Sequence, residues 1–215
     1  METIISILIG YLIGSIPTAY LILKKTRNIN ITENGSNNVG ALNSYEVSKS
    51  KTIGLIVLSL DFIKGVFSVI IVQFLFGSSF LITIVALTFA VLAHCYSPWI
   101  KFKGGRGLAT AAGGVLLIEP VILLLWVLFW LIAYLFKRHI HLANILASIL
   151  TCALAVSSSD ILNSARWLTN PPAETNLTFA SFNVFIFLII LSRHISYIKK
   201  YFVTGKNKIK GTNDE

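Results

Sequence analysis

Residues 107–138 read GLATAAGGVLLIEPVILLLWVLFWLIAYLFKR, and this stretch decides the architecture of the chain. It is largely apolar, but Glu119 and Pro120 stand near its middle. Because proline removes a helix hydrogen bond and disfavours helical backbone in the residue before it, we expect a break there. The choice lies between one long tilted helix and a hairpin of two short helices.

The composition is typical of a protein embedded in a lipid bilayer. The sequence is 55% hydrophobic and only 13% charged, whereas about a quarter of the residues of soluble domains are charged. Cys95 and Cys152 both fall in apolar runs, which argues against a disulfide framework and against a metal site. The first basic residue is Lys24, at the end of a long apolar run, which indicates a retained spanning helix and not a cleaved signal peptide.

Charge decides between the long helix and the hairpin. A single helix would place Lys137 and Arg138 on the opposite side of the membrane from Arg106, against the positive-inside rule. With seven spans and the N-terminus outside, 16 of the 18 basic residues face the cytoplasm. We read seven apolar segments in the sequence, at 3–23, 53–77, 79–98, 107–118, 121–136, 141–160 and 180–198.

The sequence therefore predicts an all-α fold, a polytopic membrane helix bundle with seven transmembrane helices, the N-terminus outside and the C-terminus cytoplasmic. One integral-membrane domain covers residues 1–198, and a basic cytoplasmic tail covers residues 199–215. The net charge of +9 is explained by this topology, in which basic residues collect on the cytoplasmic side. The expected partner of the tail is the anionic surface of the lipid bilayer, and no nucleic acid is implied.

Three predicted inner loops differ from plain connectors. Residues 33–50, ENGSNNVGALNSYEVSKS, are rich in Gly, Ser and Asn, which suits a concavity of backbone N–H groups that binds an anion. Residues 94–110, HCYSPWIKFKGGRGLAT, place glycines around Arg106 before a helix, where N–H groups and the helix dipole attract phosphate. Residues 191–200, LSRHISYIKK, add a histidine. Each loop also has a plainer interpretation, as a linker, a basic juxtamembrane turn and an interfacial histidine.

Two ionisable residues, Asp61 and Lys64, lie one helical turn apart inside the second predicted span. Ionisable groups at such depth usually pair and face the protein interior. The sequence leaves open whether they form a structural ion pair or reach a site. Together with the three loops, they suit a ligand that has a charged head and a fatty tail.

At these residues the sequence resembles a known family, the bacterial acyl-phosphate:glycerol-3-phosphate acyltransferases, or PlsY family of seven-span membrane enzymes. The loop GSNNVGALN (35–43) resembles the family's Gly-Ser-Gly-Asn-x-Gly-Ala-Thr-Asn. DFIKG (61–65) matches Asp-x-x-Lys-Gly, and 94–110 resembles His-x-x-x-Pro-x-x-x-Phe-Lys-Gly-Gly-Lys-Gly-x-Ala-Thr. Arg193-His194 begins the third motif, Arg-His-x-x-Asn.

The resemblance implies an enzyme that moves a fatty acyl group from acyl phosphate to the sn-1 hydroxyl of glycerol 3-phosphate, which gives lysophosphatidic acid and phosphate. It implies no metal or cofactor, and the soluble enzyme that forms acyl phosphate is an expected partner. The expected location is the bacterial cell (inner) membrane, with the site facing the cytoplasm. The expected catalytic residues are Ser36, Arg106 and His194; the expected substrate-binding residues are Asn38, Gly40, Asn43, Asp61, Lys64, Gly104, Gly105, Gly107, Thr110, His141 and Tyr197.

Four positions depart from the family pattern. Glu46 replaces an arginine, Arg106 a lysine, His141 a serine and Tyr197 an asparagine. An acid at position 46 repels an anionic acceptor, and Lys49 is its expected partner on the helix. The alternatives are therefore a paralogue with another acceptor, a non-catalytic member and a small-anion transporter.

Overall fold

A computed structural model of the chain describes residues 1–164, 167–195 and 197. The predicted basic tail 199–215, the predicted domain boundary at 198 and Arg166 lie outside the described residues. The described part is all-helical, with α1 (Glu2–Ser15), α2 (Thr18–Arg27), α3 (Ala41–Ser48), α4 (Lys51–Phe76), α5 (Phe80–Cys95), α6 (Leu108–Ile118), α7 (Pro120–Lys137), α8 (Ile140–Ser157), α9 (Ser159–Ser164) and α10 (Asn176–Ser192).

Four helical stretches are long and apolar enough to cross a membrane, namely Glu2–Arg27, Lys51–Phe76, Pro120–Lys137 and Ile140–Ser157. Three shorter apolar helices accompany them, Phe80–Cys95, Leu108–Ile118 and Asn176–Ser192. Many of the exposed side chains on these helices are large and apolar, including Leu8, Phe74 and Leu124. Such a surface suits lipid contact, so the chain is a multi-pass membrane protein.

The break predicted at Glu119 is confirmed, because α6 ends at Ile118 and α7 begins with Pro120. The chain also reverses direction there. Arg106 precedes α6 and His141 follows α7, yet Nη1 of Arg106 lies 2.9 Å from Nδ1 of His141. One straight helix over this stretch would separate its ends by about 45 Å.

The single first span predicted over 3–23 is wrong in one respect, because the helix is interrupted at Ile16 and Pro17. Pro17 has no N–H to continue the helix, and Ile16 takes an extended ψ of 115°. The predicted span 79–98 is also too long. Helix α5 ends at Cys95, and a tight turn follows in which the N–H of Ser97 donates to the carbonyl oxygen of Lys103.

The last predicted span also differs from the helix in the structure. Helix α10 begins at Asn176, before the predicted 180, and ends at Ser192. Ile195 and Tyr197 are again helical, and residues 196 and 198, at the predicted end of the span, lie outside the described residues.

Glycines let the helices around the site approach closely. Side chains added at Gly10 and Gly14 of α1 would collide with the backbone oxygens of Ala86 and Ala90 on α5. Gly10 and Gly14 thus form a packing surface of α1 inside the bundle. The same device joins α4 to α6, where Gly65 lies against the carbonyl oxygen of Thr110.

Candidate active site

The first polar loop is organised by the side chain of Asn43. Its amide nitrogen donates to the carbonyl oxygens of Asn34 (3.0 Å) and Asn38 (2.9 Å), and its oxygen accepts from the N–H of Ser36 (3.0 Å). Asn43 is 1% exposed. Asn43 therefore shapes the loop from inside, and the Ser36 N–H is already used and is not directed at a ligand.

The second polar loop packs on His94 through two glycines. A side chain at Gly105 would collide with the His94 ring, and one at Gly104 would collide with the backbone of His94 and Cys95. The N–H of Gly105 donates to the carbonyl oxygen of His94 (3.1 Å), and the N–H of Val39 donates to that of Gly104 (3.1 Å). These contacts join the first loop to the second.

The third polar segment is attached to the second loop by Arg193. Its Nε donates to the carbonyl oxygen of Gly105 and its Nη2 to that of Gly104, both at 3.1 Å. The guanidinium also lies over the ring of Tyr96, 5.0 Å from the centroid. Arg193 thus holds α10 against the loop that carries Arg106.

His194 is fully buried beside this junction. Its Nδ1 lies 2.9 Å from the carbonyl oxygen of Ile190, which can only accept, so Nδ1 carries the proton. Nε2 is buried and has no partner among the described residues. Burial is the main cause that lowers the pKa of His194 to about 4 from 6.5; the Ile190 carbonyl opposes this shift, and Arg106 and Arg193 add to it. At neutral pH, Nε2 is therefore unprotonated and able to accept a hydrogen bond.

Arg106 lies at the N-terminus of α6, with Gly107 as the cap residue at a φ of 80°. Burial lowers the pKa of its guanidinium, Arg193 adds to this effect, and Glu46 opposes it. The expected pairing of Glu46 with Lys49 is wrong, since both ion-pair contacts found within the described residues involve Asp61.

An open cleft, called the polar cleft here because charged and amide side chains line part of it, lies where these segments meet. Five residues of its lining were predicted from sequence as site residues: Asn38, Gly40, Asp61, Arg106 and Gly107. Two further lining residues, His94 and Asn144, were not predicted as site residues. The signal for Asn144 was its amide within an apolar helix. Its oxygen accepts from Trp130 Nε1 at 2.7 Å.

Asp61 and Lys64 form the buried floor of the site. Lys64 Nζ donates to Asp61 Oδ1 (2.8 Å) and to the carbonyl oxygen of Ile16 (2.6 Å), which the break at Pro17 exposes. Thr18 Oγ1 donates to the same Asp61 oxygen, and His94 Nδ1 lies 3.6 Å from it. Lys64 therefore satisfies a helix end, whereas Asp61 also faces the polar cleft.

An apolar cleft begins at the same place. It is lined by α6, α7 and α10, and Leu108, at the start of α6, lines both clefts. Along α10 its lining runs from Ile190 to Asn183, about 10 Å at 1.5 Å per residue. Thus one apolar and one polar compartment adjoin at the N-terminus of α6.

Comparison with known proteins supports the resemblance read from the motifs. The family model described as "Glycerol-3-phosphate acyltransferase" matches residues 4–204. The glycerol-3-phosphate acyltransferase of Helicobacter pylori is 34% identical, with 95% of this chain and 93% of that protein covered. The chain belongs to the glycerol-3-phosphate acyltransferase family.

Other members of the family are similar over much or nearly all of their length. Glycerol-3-phosphate acyltransferase 2 of Moorella thermoacetica is 39% identical over 67% of this chain and 73% of that protein. Crystal structures of PlsY, an integral membrane glycerol 3-phosphate acyltransferase, in glycerol 3-phosphate and lysophosphatidic acid forms give TM-scores of 0.76 and 0.73. Both are 29% identical, cover 95% of this chain, and have 94% and 93% of their own length covered.

Twelve of the fourteen site residues expected from the sequence fall into three groups in the structure. Some line the polar cleft: Asn38, Gly40, Asp61, Arg106 and Gly107. Others hold its walls together: Asn43, Gly104, Gly105 and Lys64. Three do not line it: His141 contacts Arg106, Tyr197 contacts His141, and His194 is fully buried just beyond the end of α10.

The other two expected residues, Ser36 and Thr110, do not lie where they could contact a ligand in the polar cleft. Ser36 is exposed and does not line the polar cleft. Thr110 is fully buried, and its hydroxyl has no partner among the residues that the structure describes. Its carbonyl oxygen is pressed against Gly65, so Thr110 serves the contact between α4 and α6.

Proposed function

We propose that the chain transfers a fatty acyl group from acyl phosphate to the sn-1 hydroxyl of glycerol 3-phosphate. Lysophosphatidic acid and phosphate are the products. One observation carries this proposal: a polar cleft that contains Arg106 and an apolar cleft share Leu108 at the N-terminus of α6. A donor with a phosphate head and a fatty tail fits across that junction.

The two phosphates are assigned to different groups. The first N–H groups of a helix have no partner within the helix, so those at the start of α6 suit the donor phosphate beside the apolar cleft. The guanidinium of Arg106 suits the acceptor phosphate, because its planar fork matches phosphate oxygens. Asn38 and Asn144 supply neutral donors on the other walls of the polar cleft.

The reaction needs positioning more than acid–base chemistry, because phosphate is already a good leaving group. The acceptor hydroxyl oxygen forms a bond to the acyl carbon, and the bond from that carbon to the phosphate oxygen breaks. The departing phosphate takes the hydroxyl proton. Once substrate binding reaches the buried, unprotonated Nε2 of His194, this nitrogen accepts a hydrogen bond from the hydroxyl and orients its oxygen toward the carbonyl. The proton passes from this hydrogen bond to the departing phosphate as the new bond forms.

The acyl chain occupies the apolar cleft, and Ala112 on its wall tests this placement. Ala112→Phe fills part of the cleft, so kcat/KM for palmitoyl phosphate should fall about tenfold or more, since each buried methylene contributes about 0.8 kcal/mol. Phosphate release from a series of acyl phosphates measures the effect. Shorter donors should lose less than twofold, and Ala112→Ser should behave as the parent; an equal loss for all donors would contradict the placement.

The proposed topology has seven spans, with the N-terminus outside the cell and the polar loops in the cytoplasm of a bacterial inner membrane. The positive-inside distribution supports this orientation, and the hairpin at Glu119 provides two of the crossings. The whole of residues 1–198 forms one catalytic domain, the tail contacts lipid head groups, and the soluble acyl-phosphate-forming enzyme supplies the donor. Single cysteines introduced at exposed loop positions, such as Ser36 and Lys103, should be labelled only by membrane-permeant reagents.

A second candidate is the same transfer to a different acceptor, and the effect of Glu46 on Arg106 favours testing it. Competition among glycerol, glycerol 3-phosphate and other polyol phosphates in the acyl transfer assay separates the two. Complementation of a bacterium that lacks this acylation step tests the main proposal. Growth with the parent gene and none with the His194→Ala variant is expected; a parent gene that is expressed in the membrane but does not support growth would contradict it.

A further inference from the structure

A chain of side-chain contacts connects two separate segments to Arg106. The Tyr197 hydroxyl, beyond the end of α10, lies 2.8 Å from Nε2 of His139, the residue that precedes α8. The Tyr197 ring meets that of His141 edge to face, with 5.0 Å between centroids. Nδ1 of His141 lies 2.9 Å from Nη1 of Arg106. Three of the four positions that depart from the family pattern thus lie in one set of contacts.

These contacts determine which ring nitrogen of His141 carries the proton. A guanidinium can only donate hydrogen bonds, so Nδ1 of His141 must be the unprotonated acceptor, and the proton of the neutral ring is on Nε2. The Tyr197 ring against its edge limits rotation of the imidazole. One N–H of Arg106 is therefore occupied in a set direction, and the rest of the fork remains for a ligand in the polar cleft.

We propose that His139, His141 and Tyr197 form a latch that positions the Arg106 fork for the acceptor's phosphate. This rests on the proposed function, in which Arg106 holds that phosphate. The three residues are positioning residues, since they act through the guanidinium. The latch joins the α7–α8 connection to the segment after α10. It therefore affects how the acceptor binds and does not contact the acyl chain.

A double-mutant cycle on the outer contact tests the latch. Tyr197→Phe keeps the ring and removes the hydroxyl, and His139→Phe keeps a ring and removes the nitrogens. Each single change should raise the KM for glycerol 3-phosphate about threefold to tenfold, the effect of one hydrogen bond, with kcat and the KM for palmitoyl phosphate within twofold. The double variant should be no worse than either single variant, because both remove the same contact.

Tyr134→Phe is the matched control, because this α7 tyrosine stacks on Trp130 outside the set of contacts. It should leave all three constants unchanged. Additive effects in the cycle, unchanged acceptor KM, or an equal fall of kcat would each overturn the latch. The Arg106→Gln variant separates the two proposals. If Arg106→Gln raises the KM for the acceptor while the Tyr197 and His139 variants do not, the latch is wrong and the role of Arg106 stands. If Arg106→Gln does not raise the KM for the acceptor, the proposed role of Arg106 is wrong, and the latch that rests on it is wrong too.

Discussion

Replacing Arg106 with glutamine will reduce kcat/KM for glycerol 3-phosphate by about 10²- to 10³-fold, the usual effect of removing one preorganised charged donor. Glutamine keeps a hydrogen-bond donor but loses the charge and the planar fork. Because the guanidinium is partly buried among Asn38, Gly40 and Gly107, water cannot replace it efficiently. Steady-state phosphate release at several acceptor concentrations gives the constant.

Lys103→Gln is the control for this prediction, because Lys103 is an exposed cation of the same loop that does not line the polar cleft. It should change kcat/KM by less than twofold. Arg106→Lys should recover part of the loss, since lysine keeps the charge without the fork. Equal constants for the Arg106→Gln and Lys103→Gln variants would contradict the assigned role of Arg106.

Replacing Lys64 with methionine will destabilise the fold by about 3–5 kcal/mol, because it leaves a buried carboxylate without its partner. Asp61 and Lys64 are 2% and 5% exposed, and Lys64 also satisfies the Ile16 carbonyl oxygen at the break between α1 and α2. Unfolding by denaturant in detergent micelles measures the change. Lys51→Met, at the exposed start of the same helix, is the control and should be nearly neutral.

The double variant Asp61→Asn with Lys64→Met decides what the buried pair is for. Removing both charges should restore most of the stability, because no isolated buried charge remains. Its activity then separates the two interpretations that the sequence leaves open. Activity that returns with stability means that the pair is structural, and a stable but inactive protein means that Asp61 serves the polar cleft. A double variant less stable than Lys64→Met alone would contradict the ion-pair account.

The break at Glu119 could be predicted from sequence, but the break at Pro17 was missed although both contain proline. The stretch around Glu119 carries a charge and a basic end at Lys137 and Arg138, so topology gave a second signal. Around Pro17 the apolar pattern continues without a charge. What makes that break tolerable is Lys64, which donates to Ile16 from 48 residues away. Such a contact has no local signature.

The position of the site could also be predicted, but the roles within it could not. Glycine, asparagine and arginine in three loops indicated a site for anions, and the structure brings these loops together. Whether a glycine faces the ligand or another loop depends on tertiary packing. Gly105 faces the His94 ring, and Asn43 faces its own loop. The contacts of Arg106 with His141, and of His141 with Tyr197, were invisible for the same reason.

The most direct test is product formation by the purified chain supplied with palmitoyl phosphate, with and without glycerol 3-phosphate. We expect lysophosphatidic acid and phosphate in equal amounts, formed only when the acceptor is present and lost when Arg106 is replaced with glutamine. A folded protein that forms no more lysophosphatidic acid than its His194→Ala variant would contradict it.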